Sequence, residues 1–119
     1  MTVRRLKTYA ASQGFVYQYY FVGKRQARES DAAEFVFDVT PDRKQTYAVS
    51  VVLPQAAVLD WAQLHGRSLT DAEQYAGVKL SLFRGFDEVA DMQADGRHLR
   101  IDSAFLEEAL ASLGVDSVM

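Results

Sequence analysis

Lys79 is the residue whose placement most invites chemistry. A helix turning by about 100° per residue puts it near the centre of an apolar stripe made by Ala72, Tyr75, Ala76, Phe83 and Phe86. Burial there disfavours the ammonium and calls for an anionic partner. Such an amine can clamp a carboxylate or form a Schiff base, with Tyr75 as its nearest polar neighbour. The plainer expectation is that its stem lies over the rings and its tip reaches water. His65 follows Trp61 by four residues on the apolar side of another helix. It also stands in the last turn, where the helix dipole favours a cation. Lys79, Tyr75, His65 and Trp61 are therefore the candidate residues for a small ligand. For His65 the plainer expectation is a ring packed on Trp61.

Asp87, Asp91, Asp95 and His98 are spaced so that one continuous helix would gather them on one side. Asp95-Gly96 reads as a helix break, and acids four apart commonly line a solvated face. No metal and no cofactor is assigned on this pattern. The chain has two histidines and no cysteine. Thiolate chemistry, disulfides and cysteine metal sites are thus excluded. Neither phosphate-binding glycine pattern occurs, and the spacing defines no Ser-His-acid constellation. The balance leans away from an enzyme.

Charge is unevenly distributed. Residues 1–28 hold Arg4, Arg5, Lys7, Lys24, Arg25 and Arg28 and no acid, which is +6. The remainder carries -9, for a net charge of -3. Two segments of opposite sign either neutralise each other in the fold or mark a binding face. Between these cations runs the aromatic stretch Gly14-Phe15-Val16-Tyr17-Gln18-Tyr19-Tyr20-Phe21. Aromatic strand residues beside basic ones can stack unpaired bases. The six cations and Tyr20 are accordingly the candidate nucleic-acid surface. Gly14, Phe15, Tyr17 and Tyr20 match the RNP1 pattern in type, but Gln13, Val16 and Gln18 depart from it. The element order also differs from βαββαβ, so no family is recognised.

The elements that position these residues follow from periodicity. Phe15–Val22, Glu34–Thr40 and Thr46–Leu53 alternate as strands, each with one strongly apolar face. Residues 23–33 read as a charged connection. The opposite strand faces (Val16, Gln18, Tyr20 and Val22, then Val36, Asp38, Ala48, Ser50 and Val52) are too apolar for full solvation. The segment 3–11 fits strand or helix. Pro54 opens a helix that Gly66 stops, with Ala57, Val58, Trp61 and Leu64 on its apolar side. Thr70-Asp-Ala-Glu73 is a capping box for a helix running to about Asp91. Gly77, Ser81 and Gly85 recur on that helix away from Lys79, facing either solvent or a close packing partner. Arg97–Ile101 reads as a short strand. Asp102 or Ser103 caps a last helix carrying Phe105, Leu106, Ala109, Leu110 and Leu113 toward the core.

The expectation is one α+β domain over 1–119, in the order β-β-β-α-α-(β)-α. A three- or four-stranded antiparallel sheet is covered on one face by about three helices. The expected core includes Phe15, Tyr17, Phe21, Phe35, Phe37, Val49, Val51, Trp61, Leu82, Phe83, Phe86 and Leu110. With no signal peptide or membrane span in view, a soluble cytoplasmic chain is expected. The leading functional expectation is a non-enzymatic interaction or regulatory module, with a protein partner or a second copy as its target. Single-stranded nucleic-acid binding, and a small-ligand binder or enzyme using Lys79, are the alternatives.

Overall fold

The computed structural model describes residues 6–28, 31–42 and 44–115. Alternating aromatic and β-branched residues build β1 (Lys7–Ala10), β2 (Val16–Gln26), β3 (Ala32–Thr40) and β4 (Tyr47–Pro54). These four pair as an antiparallel meander. Then come α1 (Gln55–His65), α2 (Asp71–Glu88), α3 (Met92–Asp95), β5 (His98–Arg100) and α4 (Ser103–Ser112). The sheet order is β1-β2-β3-β4-β5, and β5 joins β4 in parallel. The architecture is thus α+β, with a five-stranded mixed sheet. The parallel strand follows from the connection: α1, α2 and the short α3 lie between β4 and β5, long enough to carry the chain back to the same end.

Two sequence expectations about the strands are corrected. The charged stretch after Val22 is not a long connection. β2 continues to Gln26 because a bulge between Phe21 and Gly23 keeps Lys24, Arg25 and Gln26 paired to Phe35, Glu34 and Ala33. Gly23 in the strand interior is the residue that marks such a bulge. Phe15 is not core: it precedes the strand pairing and is 51% exposed.

The inward face carries Tyr17, Tyr19, Phe35, Phe37, Val39, Tyr47, Val49 and Val51, all buried. Phe21 and Phe83 are half-buried against this core. Helix α2 lies over the sheet, with Phe86 stacked on Tyr17 at 4.3 Å between ring centroids. It is started by the expected capping box: Thr70 accepts from the Glu73 amide, and Glu73 accepts from the Thr70 amide. It ends at Glu88, earlier than Asp91, because Val89 turns extended and Asp91 caps α3 instead. Its glycine stripe faces protein, not solvent. Gly77, Ser81 and Gly85 are buried, Gly77 beneath Leu106 of α4 and Gly85 beneath Leu99 of β5. Helix α1 ends on Gly66 in the left-handed region, φ 75°. On the flanks of the helical layer Leu64 and Leu113 are exposed, against expectation.

Among the described residues, no helix of the fold is long and apolar enough to cross a membrane.

Candidate functional site

The first candidate set does not assemble. Lys79 and Tyr75 stand on α2, whereas Trp61 and His65 stand on α1. Lys79 Nζ lies 5.9 Å from the Tyr75 ring centre and 5.8 Å from that of Phe83. Burial lowers its pKa, and Lys7 on the adjoining β1 lowers it further by repulsion. Among the described residues no carboxylate pairs with it. The hollow beside it, lined by Ala76, Leu80, Phe83 and Leu113, measures about 160 Å³. Ligand pockets are usually roughly 300–1,000 Å³. The amine is therefore held by aromatic faces at the margin of the helical layer.

His65 packs on Trp61 with ring centroids 4.3 Å apart and 16° between planes. Its Nε2 lies 2.6 and 2.8 Å from the two carboxylate oxygens of Glu107 on α4. A carboxylate only accepts, so Nε2 carries the donated proton. Nδ1 is buried and meets no partner among the described residues. Arg67 lies over the Trp61 ring at 5.0 Å and makes a two-pronged pair with Glu73. That pair holds the Glu73 carboxyl at about 2. These contacts tie α1, α2 and α4 together.

Of the acids at 87, 91 and 95, the first two are engaged in the fold. Asp87 accepts from the Tyr9 hydroxyl at 2.7 Å and from the Ser12 amide at 2.9 Å, which clamps the β1–β2 turn to α2. This bond, aided by burial, pushes the Tyr9 phenol up to about 12. Asp91 caps α3. Among the described residues no group of three metal-ligating side chains converges.

The candidate nucleic-acid residues are divided by the sheet. Arg4 and Arg5 lie outside the described residues. Lys7 faces the helical side, as does Lys24, whose Nζ sits 5.4 Å from the centre of the Phe35 ring. The bulge sends the next residue, Arg25, to the opposite face, where it meets Glu34 at 2.8 Å. Arg28 is exposed beyond the end of β2 and lines the same face. Tyr20 also points there, its hydroxyl donating to Asp38 at 2.8 Å. Tyr17, expected in the core, is buried there, and so is Tyr19 of the same aromatic stretch.

Beyond the Arg25–Glu34 and Tyr20–Asp38 bonds within it, that opposite sheet face has no role in the contacts described so far. Among the described residues no helix covers it. Its residues follow from register: Val16, Gln18, Tyr20 and Val22 on β2, Glu34, Val36 and Asp38 on β3, Ala48, Ser50 and Val52 on β4, and His98 and Arg100 on β5. Val16 and Val22 are 51% and 37% exposed. At one end the face is concave. Arg25, Arg28 and Glu34 share an open cleft of about 850 Å³ with Val52 and with His98, although β5 is three strands from β2. The Glu34 carboxyl is held below the usual carboxylate range by the Arg25 guanidinium, then by the Ser50 hydroxyl.

No family model, no curated protein and no solved structure matches this chain.

The site must therefore be read from its own chemistry. The sequence flagged Arg25, Arg28 and the half-apolar strand faces but not their convergence with Glu34 and His98. Gly23 inside a strand was the one usable signal, since its bulge sets which face receives Arg25.

Proposed function

We propose that this chain is a non-enzymatic protein-interaction module that docks its partner on the uncovered face of its sheet. One observation carries the reading: Val22, Val36 and Val52, neighbours across β2, β3 and β4, floor a face that stands beyond the helical layer. Contiguous apolar surface of this kind on a soluble domain marks interaction sites. Single-stranded nucleic-acid binding draws less support. Tyr17 and Tyr19 of the aromatic stretch lie in the core, and Tyr20, half-buried on the uncovered face, lies in a hydrogen bond with Asp38.

Selection of a random displayed-peptide library on the full chain tests the proposal. The double variant Val22→Lys, Val52→Lys serves as the counter-target. Both positions are partly exposed, so the variant should unfold at nearly the same urea concentration. Peptides that bind the native chain and lose the variant support the docking face. Peptides that bind both equally, or an absence of enriched peptides, overturn it.

A further inference from the structure

The charge asymmetry of the sequence becomes an asymmetry between layers. The helices carry eight Asp and Glu against only Lys79 and Arg84. The strands reverse the sign, with Lys7, Lys24, Arg25 and Arg100 against Glu34 and Asp38. Both strand acids already accept hydrogen bonds, from Arg25 and from Tyr20. Lys7 and Lys24 face the helical layer, so on the uncovered face Arg25 and Arg100 stand against Glu34 and Asp38, and Arg28, with His98 beside it, gives the concave end its excess positive charge.

Resting on the docking reading above, we infer that the occupant is an extended acidic segment of a partner protein. Its carboxylates would meet Arg25, Arg28 and His98, and its alternate side chains would lie on Val36 and Val52. An extended chain presents side chains to opposite sides with period two, which suits a floor of alternating valines and charges. Complementary charge also steers the encounter and rejects basic partners. Three observations separate this occupant from others. A nucleic acid gains the same cations, but the ring this face offers its bases is Tyr20, half-buried and hydrogen-bonded to Asp38. A two-fold dimer centred on the cleft would press Arg25 and Arg28 against their own copies. A second copy docking its acidic helical layer would make a head-to-tail contact, which grows into a filament instead of closing.

Fluorescence anisotropy with defined probes tests the inference. The probes are a labelled dodecapeptide of alternating glutamate and valine, its lysine–valine and serine–valine counterparts, and an oligothymidylate of equal length. Each is titrated with the full chain at low and at physiological salt. The glutamate peptide is expected to bind best and to weaken as salt rises. Arg28→Glu, at an exposed position, is expected to weaken it at least about tenfold without moving the urea midpoint. Failure of the glutamate peptide to bind, tighter binding of the lysine peptide or the oligothymidylate, or indifference to Arg28→Glu overturns the inference. Serine–valine binding that survives Arg28→Glu but is lost in Val22→Lys, Val52→Lys keeps the docking face and refutes only the acidic occupant. Concentration-dependent polymers in sedimentation, abolished by Arg28→Glu, would name a second copy instead.

Discussion

Replacing Gly77 with alanine distinguishes a packed helix stripe from a solvated one by the sign of the effect. An alanine Cβ would stand 2.9 Å from Leu106 Cδ1 and 3.9 Å from Leu110 Cδ2. Carbon atoms rest at roughly 3.5–4.0 Å, so the first contact is short by at least about half an ångström. Leu106 and Leu110 are both fully buried and have little room to withdraw. Overpacking of this kind costs about 1–3 kcal/mol. Against it, alanine gains about 1 kcal/mol over glycine inside a helix. The balance is a loss of about 0–2 kcal/mol. Gly77→Val settles any near cancellation. It surrenders part of the propensity gain and drives two more methyl groups at Leu106, so its loss should exceed about 2 kcal/mol. Trp61 is the single tryptophan and is buried, so urea unfolding followed by its fluorescence reads both variants. The midpoint should fall in the order native, alanine, valine, at constant slope. A gain of about 1 kcal/mol for Gly77→Ala, with Gly77→Val no worse than alanine, would refute the packing of α2 against α4.

Other expectations follow from the same contacts. Glu73 is held at about 2 by Arg67 and the Thr70 amide. Its folded pKa lies below the unfolded value, so its stabilisation is present above about pH 4.5 and fades as pH falls toward 2. Glu73→Gln should flatten the acid limb of a pH–stability curve measured by urea unfolding. Tyr9 is raised to about 12 by Asp87. Its stabilisation is present below the ordinary phenol value and fades as pH rises from about 10 toward 12. Asp87→Asn should lower the Tyr9 titration midpoint, read by tyrosinate absorbance against a Tyr9→Phe control. Lys79→Met keeps the stem over Tyr75 and Phe83 while removing the repulsion from Lys7. Its urea midpoint should match or slightly exceed that of the native chain, whereas a marked loss would reveal an anionic partner at the amine.

The legible parts of the fold were those written in local chemistry. The Thr70–Glu73 capping box, the Gly66 stop, the Asp102 cap and the inward residues of β2 to β4 each follow from short-range spacing. What depends on distant pairing was not legible. The parallel docking of β5 is set by where α1 and α2 return the chain. The extension of β2 past Gly23 is fixed by Ala33 and Glu34 on the facing strand. Phe15 reads as core by type, but it falls one residue before the paired segment. Lys79 was expected near the centre of the buried stripe of α2, but the helix is rotated so that Gly77, Val78, Ser81, Leu82, Gly85 and Phe86 are buried. Tyr75, Ala76 and Phe83 are half-buried, and Ala72 and Ala90 are exposed. Apolar periodicity alone could not foresee that α4 and β5 would pack on the glycine side. For the candidate site, the sequence contained both the basic residues and the half-apolar strand faces. Their meeting required the bulge that turns Arg25 away from Lys24, and a sheet curved enough to bring His98 opposite Arg28.

The central claim is that the uncovered sheet face receives a partner. The most direct measurement is an amide chemical-shift map of the full chain as the glutamate–valine peptide is added. The account predicts shifts concentrated at Val22, Glu34, Val36, Val52 and His98, with Leu59 and Leu64 on the outer side of α1 unchanged. Shifts centred on α1, or around Lys79 and Leu113, would contradict it.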